Sequence, residues 1–188
     1  VMIQLAALAL AALLTQPATD WTPLFDGKTL TGFAQHGGHA AYAAEDNCIV
    51  GRTKRGEPNS FLCTDRDYHD FILEFDVKVD RDLNSGCQIR SHARTDNDVV
   101  HGYQVEIEAT PRGFSAGIYE EGGRGWLAQP TPGQAKNTPV NPDDWNHYRI
   151  EARGNRIQTS INGIPVADLI DDKTPTGFLA FQVHACRD

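Results

Sequence analysis

The amino-acid sequence predicts an all-β fold, an antiparallel β-sandwich, and three observations support this. Apolar and polar residues alternate in several segments, among them Phe71–Val79, Tyr148–Ala152 and Ile157–Ile161, and a period of two is typical of strands with one buried face. Gly, Pro, Asn and Asp separate the segments, and Asn162-Gly163 is the strongest hairpin signal in the chain. No long amphipathic helix is evident after Trp21, so the sheets are expected to form the core themselves.

Length and charge limit the function classes. The chain has 188 residues and a formal net charge of -8 at pH 7. Residues 20–188 are enough for one hydrophobic core and too few for two comfortable domains, so a single domain is expected there. An acidic chain lacks the basic surface that nucleic acids and anionic membranes require. A neutral small-molecule substrate therefore fits this composition better, and no nucleic acid partner is expected.

The N-terminal segment, residues 1–18, resembles the apolar core of a signal peptide. Met2–Ala18 is rich in Leu and Ala and ends in Thr, Gln, Pro and small residues, and it is too short and too abruptly ended for a membrane span. No basic residues precede it, so the usual n-region is incomplete. We expect an exported protein, periplasmic or extracellular, whose mature chain begins near Thr19 or Asp20. A retained N-terminal anchor helix is the alternative.

The cysteines suggest disulfides, and no residue pattern suggests a metal or a cofactor. The four cysteines, Cys48, Cys63, Cys87 and Cys186, are an even number, which allows three connectivities if two disulfides form. Cys48 and Cys63 flank a polar, turn-rich segment, so their pairing across a hairpin is the first choice. The seven His are scattered, and the chain has no CxxC motif, no GxGxxG after a strand and no phosphate loop.

Two consecutive strand-like segments, Asn84–His92 and Gly102–Glu108, carry hydrogen-bonding side chains on one parity. Side chains two residues apart on a strand share a face. The residues of this parity are Asn84, Gly86, Gln88, Arg90 and His92 in the first segment, and Gly102, Gln104, Glu106 and Glu108 in the second. Amides, a guanidinium and carboxylates side by side on a floor opened by glycine are typical of a site that recognises hydroxyl groups, which suggests a sugar. The alternative is a solvated outer face of an antiparallel sheet.

The last strand-like segment, Gly177–Ala185, repeats this pattern, with Gln182 and His184 on one parity. If this strand lies in the same sheet, both side chains can join Arg90 and Glu106 on one face. A hydrogen-bonded structural or surface histidine is the alternative for His184.

The region around Gly122–Pro142 is expected to form the walls of the site. It holds too much Gly and Pro for a strand and is predicted to be a long loop. Tyr119 and Trp126 offer flat apolar rings on which a sugar can stack, and for Trp126 anchoring in the core is an equal alternative. Glu121 and Arg124, with the neighbouring Glu120, would add charge at the rim.

Seven segments follow one another in an order that is informative as a whole. They are Trp21–Phe33, Ser60–Val79, Asn84–Ser91, His101–Glu108, Gly117–Leu127, Asp144–Val166 and Gly177–Ala185. Their succession resembles the 3-keto-disaccharide hydrolase domain family, also described as 3-keto-glucoside 1,2-lyase or 3-keto-2-hydroxyglucal hydratase-like. The resemblance implies a concanavalin A-like jelly-roll β-sandwich of two antiparallel sheets, an exported location and action on glycosides already oxidised at carbon 3. It also implies a further strand after residue 185, so the domain is expected to be truncated at its C-terminus.

The implied chemistry suits the polar residues. A ketone at C3 acidifies the C2 proton, so a base can remove it, a cation can stabilise the enolate, an acid can assist the C1 leaving group, and water then adds to the 2-hydroxyglucal. We assign Glu106 as the base, Arg90 as the enolate-stabilising cation and His184 as the acid or proton shuttle. A mutual salt bridge is the alternative for Arg90 and Glu106. The residues expected to hold substrate hydroxyls are Gln88, Gln104, Gln182 and Asn84, the last of which could instead fix the start of its strand.

Other function classes remain open. A glucanase of the same shape would carry an E-x-D-x-x-E arrangement, but after Glu106 and Glu108 the third carboxylate position holds Pro111. A non-catalytic, lectin-like carbohydrate-binding module would share the fold and the polar face. The presence of Arg90 and His184 with Glu106 favours an enzyme, and its substrate would require a separate oxidoreductase that supplies 3-keto sugars.

Overall fold

The computed structural model describes residues 21–133, 140–142 and 144–186. The strands within them are β1 (Phe33–Gly37), β2 (Ala41–Glu45), β3 (Cys48–Arg52), β4 (Ser60–Tyr68), β5 (Phe71–Val77), β6 (Asn84–Ala93), β7 (Val100–Glu108), β8 (Ile118–Glu121), β9 (Gly125–Ala128), β10 (Asn146–Arg153), β11 (Arg156–Ile161), β12 (Ile164–Ile170) and β13 (Gly177–Val183). A seven-stranded sheet has the order β1-β4-β13-β6-β7-β8-β9, a four-stranded sheet has the order β12-β11-β10-β5, and β2 pairs with β3. Neighbouring strands are antiparallel, so the predicted all-β sandwich is confirmed.

The main core lies between the seven-stranded and four-stranded sheets. Ile89 of β6 and Val105 of β7 are fully buried and pack in one cluster with Tyr148 of β10. Burial of each such side chain contributes about 1.5–3 kcal/mol, and a one-residue slip of a strand would expose all of them, so the register is strongly specified. The opposite face of the seven-stranded sheet, which carries Gln88 of β6 and Gln104 of β7, is called the site face below.

The alternating segments form the four-stranded sheet as predicted. In β10 the side chains of Tyr148, Ile150 and Ala152 are fully buried, while the two residues between them are partly exposed. The Asn162-Gly163 pair joins β11 to β12 with φ angles of +50° and +79°, the positive values that a two-residue type I′ hairpin turn requires.

The described part of the region Gly122–Pro142, residues 122–133 and 140–142, is not wholly a loop, and residues 134–139 of the predicted loop lie outside the described residues. Gly125–Ala128 forms β9, which pairs with β8 in a tight hairpin. Gly122 has a φ of +61°, so this glycine turns the chain between two strands. The hairpin extends the seven-stranded sheet and places Tyr119 and Trp126 opposite each other on the site face.

The predicted disulfide between Cys48 and Cys63 is wrong, since both are present as thiols. Cys48 begins β3, which pairs with β2, whereas Cys63 lies in β4 of the seven-stranded sheet. The polar segment between them therefore links two sheets and does not close a hairpin that would bring the two sulfur atoms together.

Some predictions fall on other parts of the chain. The signal peptide at residues 1–18 and the chain end at residues 187–188 lie outside the described residues. Within the described ranges, no helix has the length and apolar character needed to cross a membrane.

A β-bulge in β6 divides the predicted polar face. Arg90 has a φ of +45°, and the register with β7 shifts between Ile89 and His92. A positive φ is uncommon for a residue other than glycine, and the extra residue of a bulge changes the side to which the following residues point. Ser91 therefore takes the place expected for Arg90, and its hydroxyl donates a hydrogen bond of 2.7 Å to Oε1 of Gln88.

Candidate functional site

Glu106 lies on the site face, opposite Gly86 in the pairing of β6 with β7. Its side chain is 5% exposed. Asn84 Nδ2 donates to Oε1 of Glu106 at 2.5 Å, and Gln104 Nε2 donates to Oε2 at 3.1 Å. Burial raises the pKa of the Glu106 carboxyl above its usual value, and these two hydrogen bonds oppose the rise. A fixed carboxyl with a raised pKa is suited to proton transfer.

A chain of hydrogen bonds along the site face ends at Glu106. The hydroxyl of Ser91 donates to Gln88, and Nε2 of Gln88 donates to Oε1 of Gln104 at 2.7 Å. Nε2 of Gln104 then donates to Glu106 at 3.1 Å. Each residue of the chain donates to the next one, in the direction of the carboxylate. A satisfied buried network of this kind holds its members in one arrangement. The amides of Gln88 and Gln104, which were expected to hold substrate hydroxyls, thus position Glu106.

Gly86 provides the space for this chain. A Cβ atom at Gly86 would lie 2.4 Å from Cδ of Gln104, a distance that only a shift of the amide could relieve. The glycine on the floor of the site therefore admits the side chain of Gln104.

The cation beside Glu106 is Arg112, which the strand pattern of the sequence did not indicate. Its Nη2 donates to Oε1 of Glu106 at 3.2 Å, and its Nε donates to Oε1 of Glu108 at 2.9 Å. The loop after β7 turns back on the strand, where Ala116 N donates to the carbonyl oxygen of Glu106 at 2.8 Å. The sequence signal that could have indicated Arg112 is its position four residues after Glu108, the second of two carboxylates of one parity. With 47% of its side chain exposed, Arg112 links the buried carboxylates to the surface.

Two half-buried aromatic rings lie next to Arg112, and a third packs against one of them. The rings of Phe114 and Tyr119 meet Trp126 edge to face, with centroids 5.0 Å and 5.4 Å away. Cζ of Arg112 lies 4.7 Å from the centroid of Phe114 and 5.8 Å from that of Trp126. Trp126 is therefore anchored by its neighbours and is also part of a wall beside the carboxylates. Apolar rings next to fixed polar groups match the apolar faces and the hydroxyls of a sugar.

Arg90 is not part of this cluster, contrary to the prediction. Its guanidinium donates to the carbonyl oxygens of His69 and Gly154, both at 2.7 Å, and to Oδ1 of Asp70 at 3.1 Å. Its side chain is 1% exposed. His69 and Asp70 connect β4 to β5, and Gly154 lies between β10 and β11, so Arg90 joins the two sheets. The expected shared face with Glu106 and the alternative salt bridge between them both fail because the bulge directs Arg90 away.

His184 and Glu121 lie near each other, and Glu121 is remote from Glu106 in the sheet. The His184 side chain is exposed. Burial raises the pKa of Glu121, while a hydrogen bond from Asn59 and the charge of His184 oppose the rise. Glu121 pairs with Gly102, which lies about 14 Å from Glu106 along β7 at roughly 3.4 Å per residue. Among the described residues, the hydrogen bonds to Glu106 come from Asn84, Gln104 and Arg112, and none joins it to His184.

Arg124 belongs to an ion cluster on the other face of the hairpin. Its Nη1 and Nη2 donate to Asp171 at 2.7 Å and 3.1 Å, and its Nε donates to Glu120. Lys173 Nζ also donates to Glu120. These contacts hold β8 and β9 to the segment after β12, so the arrangement indicates a structural role for Arg124 and not the predicted contact with substrate.

We expect Asp171→Asn to lower the free energy of unfolding at pH 7 by about 1–3 kcal/mol, because the charged acceptor of hydrogen bonds from both Tyr103 and Arg124 is lost. Hydrogen bonds from Arg124 hold the pKa of Asp171 well below its usual value. This stabilisation is therefore present above the unfolded pKa of about 3.9 and is lost as the pH falls through the folded pKa. Urea denaturation at pH 7 and in acid measures it, and a difference between the two proteins that does not shrink in acid would contradict the assignment.

Two further amides of the site face were expected to bind substrate. Asn84 holds Glu106, and Gln182 of β13, opposite Phe61 of β4, is 4% exposed. In the part of the chain that the structure describes, no group of three or more His, Cys, Asp or Glu is arranged to hold a metal ion.

Solved structures with the same fold include carbohydrate-binding and hydrolase proteins. A carbohydrate-binding module, CBM66 from Bacillus subtilis, is 19% identical with a TM-score of 0.62, and the match covers 84% of this chain and 94% of that chain. A putative glycosyl hydrolase from Parabacteroides distasonis is 19% identical with a TM-score of 0.65, covering 88% of each chain. A Bacillus subtilis protein of unknown function with a galectin-like fold is 13% identical with a TM-score of 0.61, covering 81% of this chain and 83% of that chain. Likeness at these identities establishes the fold, a galectin-like or jelly-roll sandwich.

The sequence itself carries the family assignment. No curated protein sequence matches this chain. A family model described as a 3-keto-alpha-glucoside-1,2-lyase-like domain matches residues 20–186, which confirms the resemblance found in the order of the seven segments. The family and the fold together support a carbohydrate-related function, and the chain belongs to the 3-keto-alpha-glucoside-1,2-lyase-like domain family.

Proposed function

We propose that this protein cleaves glycosides that carry a ketone at C3, with Glu106 as the base that removes the C2 proton. The observation that carries the proposal is the state of the Glu106 carboxyl, which is buried, has a raised pKa and is fixed by Asn84 and Gln104. If this were only a solvated outer face of the sheet, the carboxylate would be exposed and would have none of these three properties. Arg112 donates to it, and the half-buried ring of Trp126 lies against Arg112, so a cation and an apolar surface are available at the same place.

The reaction needs few groups because the ketone activates the substrate. The Glu106 carboxylate takes the C2 proton, and the electrons of the C–H bond form an enolate whose oxygen lies on C3. The guanidinium of Arg112 stabilises this charge, the role first assigned to Arg90. When the C3 carbonyl forms again, the C1–O bond breaks, and the departing alkoxide takes a proton from water. The resulting hydroxide adds to C1 while protonated Glu106 returns its proton to C2, so the sum is hydrolysis of the glycosidic bond.

The proposed activity implies a partner enzyme and a cellular location. A 3-keto glycoside must be made by an oxidoreductase, which is therefore a required partner in the pathway. The expected export of the chain would place both steps outside the cytoplasm, and detection of the protein in the periplasm or the medium tests this.

Aglycone release from an aryl 3-keto-α-glucoside and from the matching unoxidised α-glucoside tests the activity. We expect release from the oxidised compound alone, because only the ketone makes the C2 proton acidic enough for a carboxylate to remove. Equal release from both would contradict the elimination mechanism and would favour an ordinary glycosidase.

A carbohydrate-binding module is the second candidate. The observation in its favour is the wall of Phe114, Tyr119 and Trp126, since aromatic rings alone are enough to hold a sugar. Saturable binding of both glucosides without release of product would support this function.

A further inference from the structure

Gln182 is a buried amide whose hydrogen-bonding groups are unused. Its side chain is on the site face and 4% exposed, and neither Nε2 nor Oε1 has a hydrogen-bond partner. A buried amide without partners costs free energy, and native proteins rarely contain one without a reason. The residue is held in place through its backbone, because Ser85 Oγ donates to its carbonyl oxygen at 2.7 Å.

The other two glutamines of this face differ from Gln182 in this respect. Gln88 and Gln104 bond to each other at 2.7 Å, Gln88 accepts from Ser91, and Gln104 donates to Glu106. Their amides are committed to holding the carboxylate. Of the three glutamines expected to bind hydroxyls, Gln182 therefore is the one whose amide is available.

The position of Gln182 relates it to the candidate base. Phe181 pairs with Cys87, so continuation of the antiparallel register sets Gln182 beside Gly86, and Gly86 pairs with Glu106. Two strand spacings of about 4.8 Å separate the backbones of Gln182 and Glu106. The side chain of Gln104 lies over Gly86 between them, so a sugar bound at Glu106 would reach the amide of Gln182 across Gln104.

We propose that Gln182 determines specificity by recognising one hydroxyl group of the sugar bound at Glu106. The inference rests on the proposed function in that the same site binds the ligand. A carboxamide offers one donor group and one acceptor, and a hydroxyl both accepts and donates. Because the amide is buried and uncharged, a small neutral group suits it, whereas an ionised group would lose its hydration there.

The first test measures stability without sugar and compares the same substitution at two buried glutamines. Gln182→Met keeps the length of the side chain and removes an unused amide, so the urea midpoint should rise. Gln88→Met, on the neighbouring strand, removes an amide that is fully bonded and should lower the midpoint. A fall for Gln182→Met as large as that for Gln88→Met would show that the amide is satisfied within the fold, for instance by a buried water, and would overturn the inference.

The second test measures binding of an aryl 3-keto-α-glucoside in the Glu106→Gln background, where turnover does not interfere. Adding Gln182→Met should weaken binding about 10- to 100-fold, the effect of leaving one buried hydroxyl unpaired. In a series of singly deoxygenated analogues, one member should bind with equal affinity whether or not the protein carries Gln182→Met, which identifies the hydroxyl. Unchanged affinity for the parent sugar would overturn the inference.

These outcomes separate the inference from the proposed function. Sugar binding that depends on Gln182 without any cleavage by the unmodified protein would refute the proposed activity and support the inference. Cleavage that is insensitive to Gln182→Met would refute the inference and leave the activity in place.

Discussion

Glu106→Gln is expected to lower kcat for a 3-keto-α-glucoside by about 10²- to 10⁴-fold, the usual contribution of a general base, with the dissociation constant nearly unchanged. Glutamine keeps the size of the side chain and removes the group that takes the C2 proton. Steady-state kinetics measure the loss. Exchange of the C2 proton with deuterium from solvent, followed by NMR, should disappear with it, because exchange reports the same proton transfer without bond cleavage at C1.

Glu108→Gln is the matched control. Glu108 lies on the same strand and face, its side chain is 1% exposed, and it bonds to the same Arg112. We expect a much smaller loss of kcat than for Glu106→Gln. Full activity of Glu106→Gln, or equal losses at the two positions, would remove Glu106 as the specific base.

The acid limb of the activity follows from the same carboxyl. Burial raises the pKa of Glu106, so kcat/KM should rise with pH through a value above the ordinary glutamate pKa of about 4.3. Asn84 donates to Oε1 at 2.5 Å and favours the charged form. Asn84→Ala should therefore move the limb to higher pH, and a shift to lower pH would contradict the role given to this hydrogen bond.

The fold could be predicted from the sequence because the buried pattern is local. The alternation in β5, β10 and β11 and the Asn162-Gly163 turn each lie within a few residues, and the core selects their register. The strand β9 was missed because Gly122 and its neighbours carry the turn of a hairpin, and the same composition also occurs in loops.

The site could be predicted only in part, because alternation along a strand predicts the face of each side chain only as far as the first bulge. Glu106, Gln104 and Gln88 share a face as expected. Arg90 does not, and the reason is a bulge that depends on its contacts with the turns at Asp70 and Gly154, which are distant in sequence. Such contacts become visible only when the sheets are assembled.

Arg112 was missed for a related reason. It lies in no strand, so no parity argument applies to it, and its place beside Glu106 depends on the return of the loop through Ala116. The chemistry expected of the polar face needed a cation. The structure supplies one from the loop after β7 instead of from β6.

Methionine substitution should therefore affect mainly stability at Arg90 and mainly kcat at Arg112. Arg90→Met leaves the carbonyl oxygens of His69 and Gly154 without their donor and is expected to lower the free energy of unfolding by about 2–6 kcal/mol, since each acceptor left unsatisfied costs about 1–3 kcal/mol. Arg112→Met is expected to lower kcat by about 10²- to 10³-fold, as for loss of a group that stabilises an oxyanion. Thermal denaturation and kinetics at a temperature where both variants are folded measure the two effects.

Arg112→Met will also cost some stability, and pH distinguishes the two costs. Without Arg112, the buried carboxylate of Glu106 loses a counter-charge that lowers its pKa, so this pKa rises further, and the penalty is present above that value and lost as the pH falls through it. The cost of Arg90→Met comes mainly from carbonyl oxygens that do not titrate, so most of it should persist in acid. Arg112→Lys retains the charge and should restore part of kcat. Arg90→Lys should not restore the stability, because a single ammonium cannot make the three separate contacts of Arg90. Retention of kcat in Arg112→Met with loss of kcat in folded Arg90→Met would return the catalytic cation to β6 and contradict the site described here.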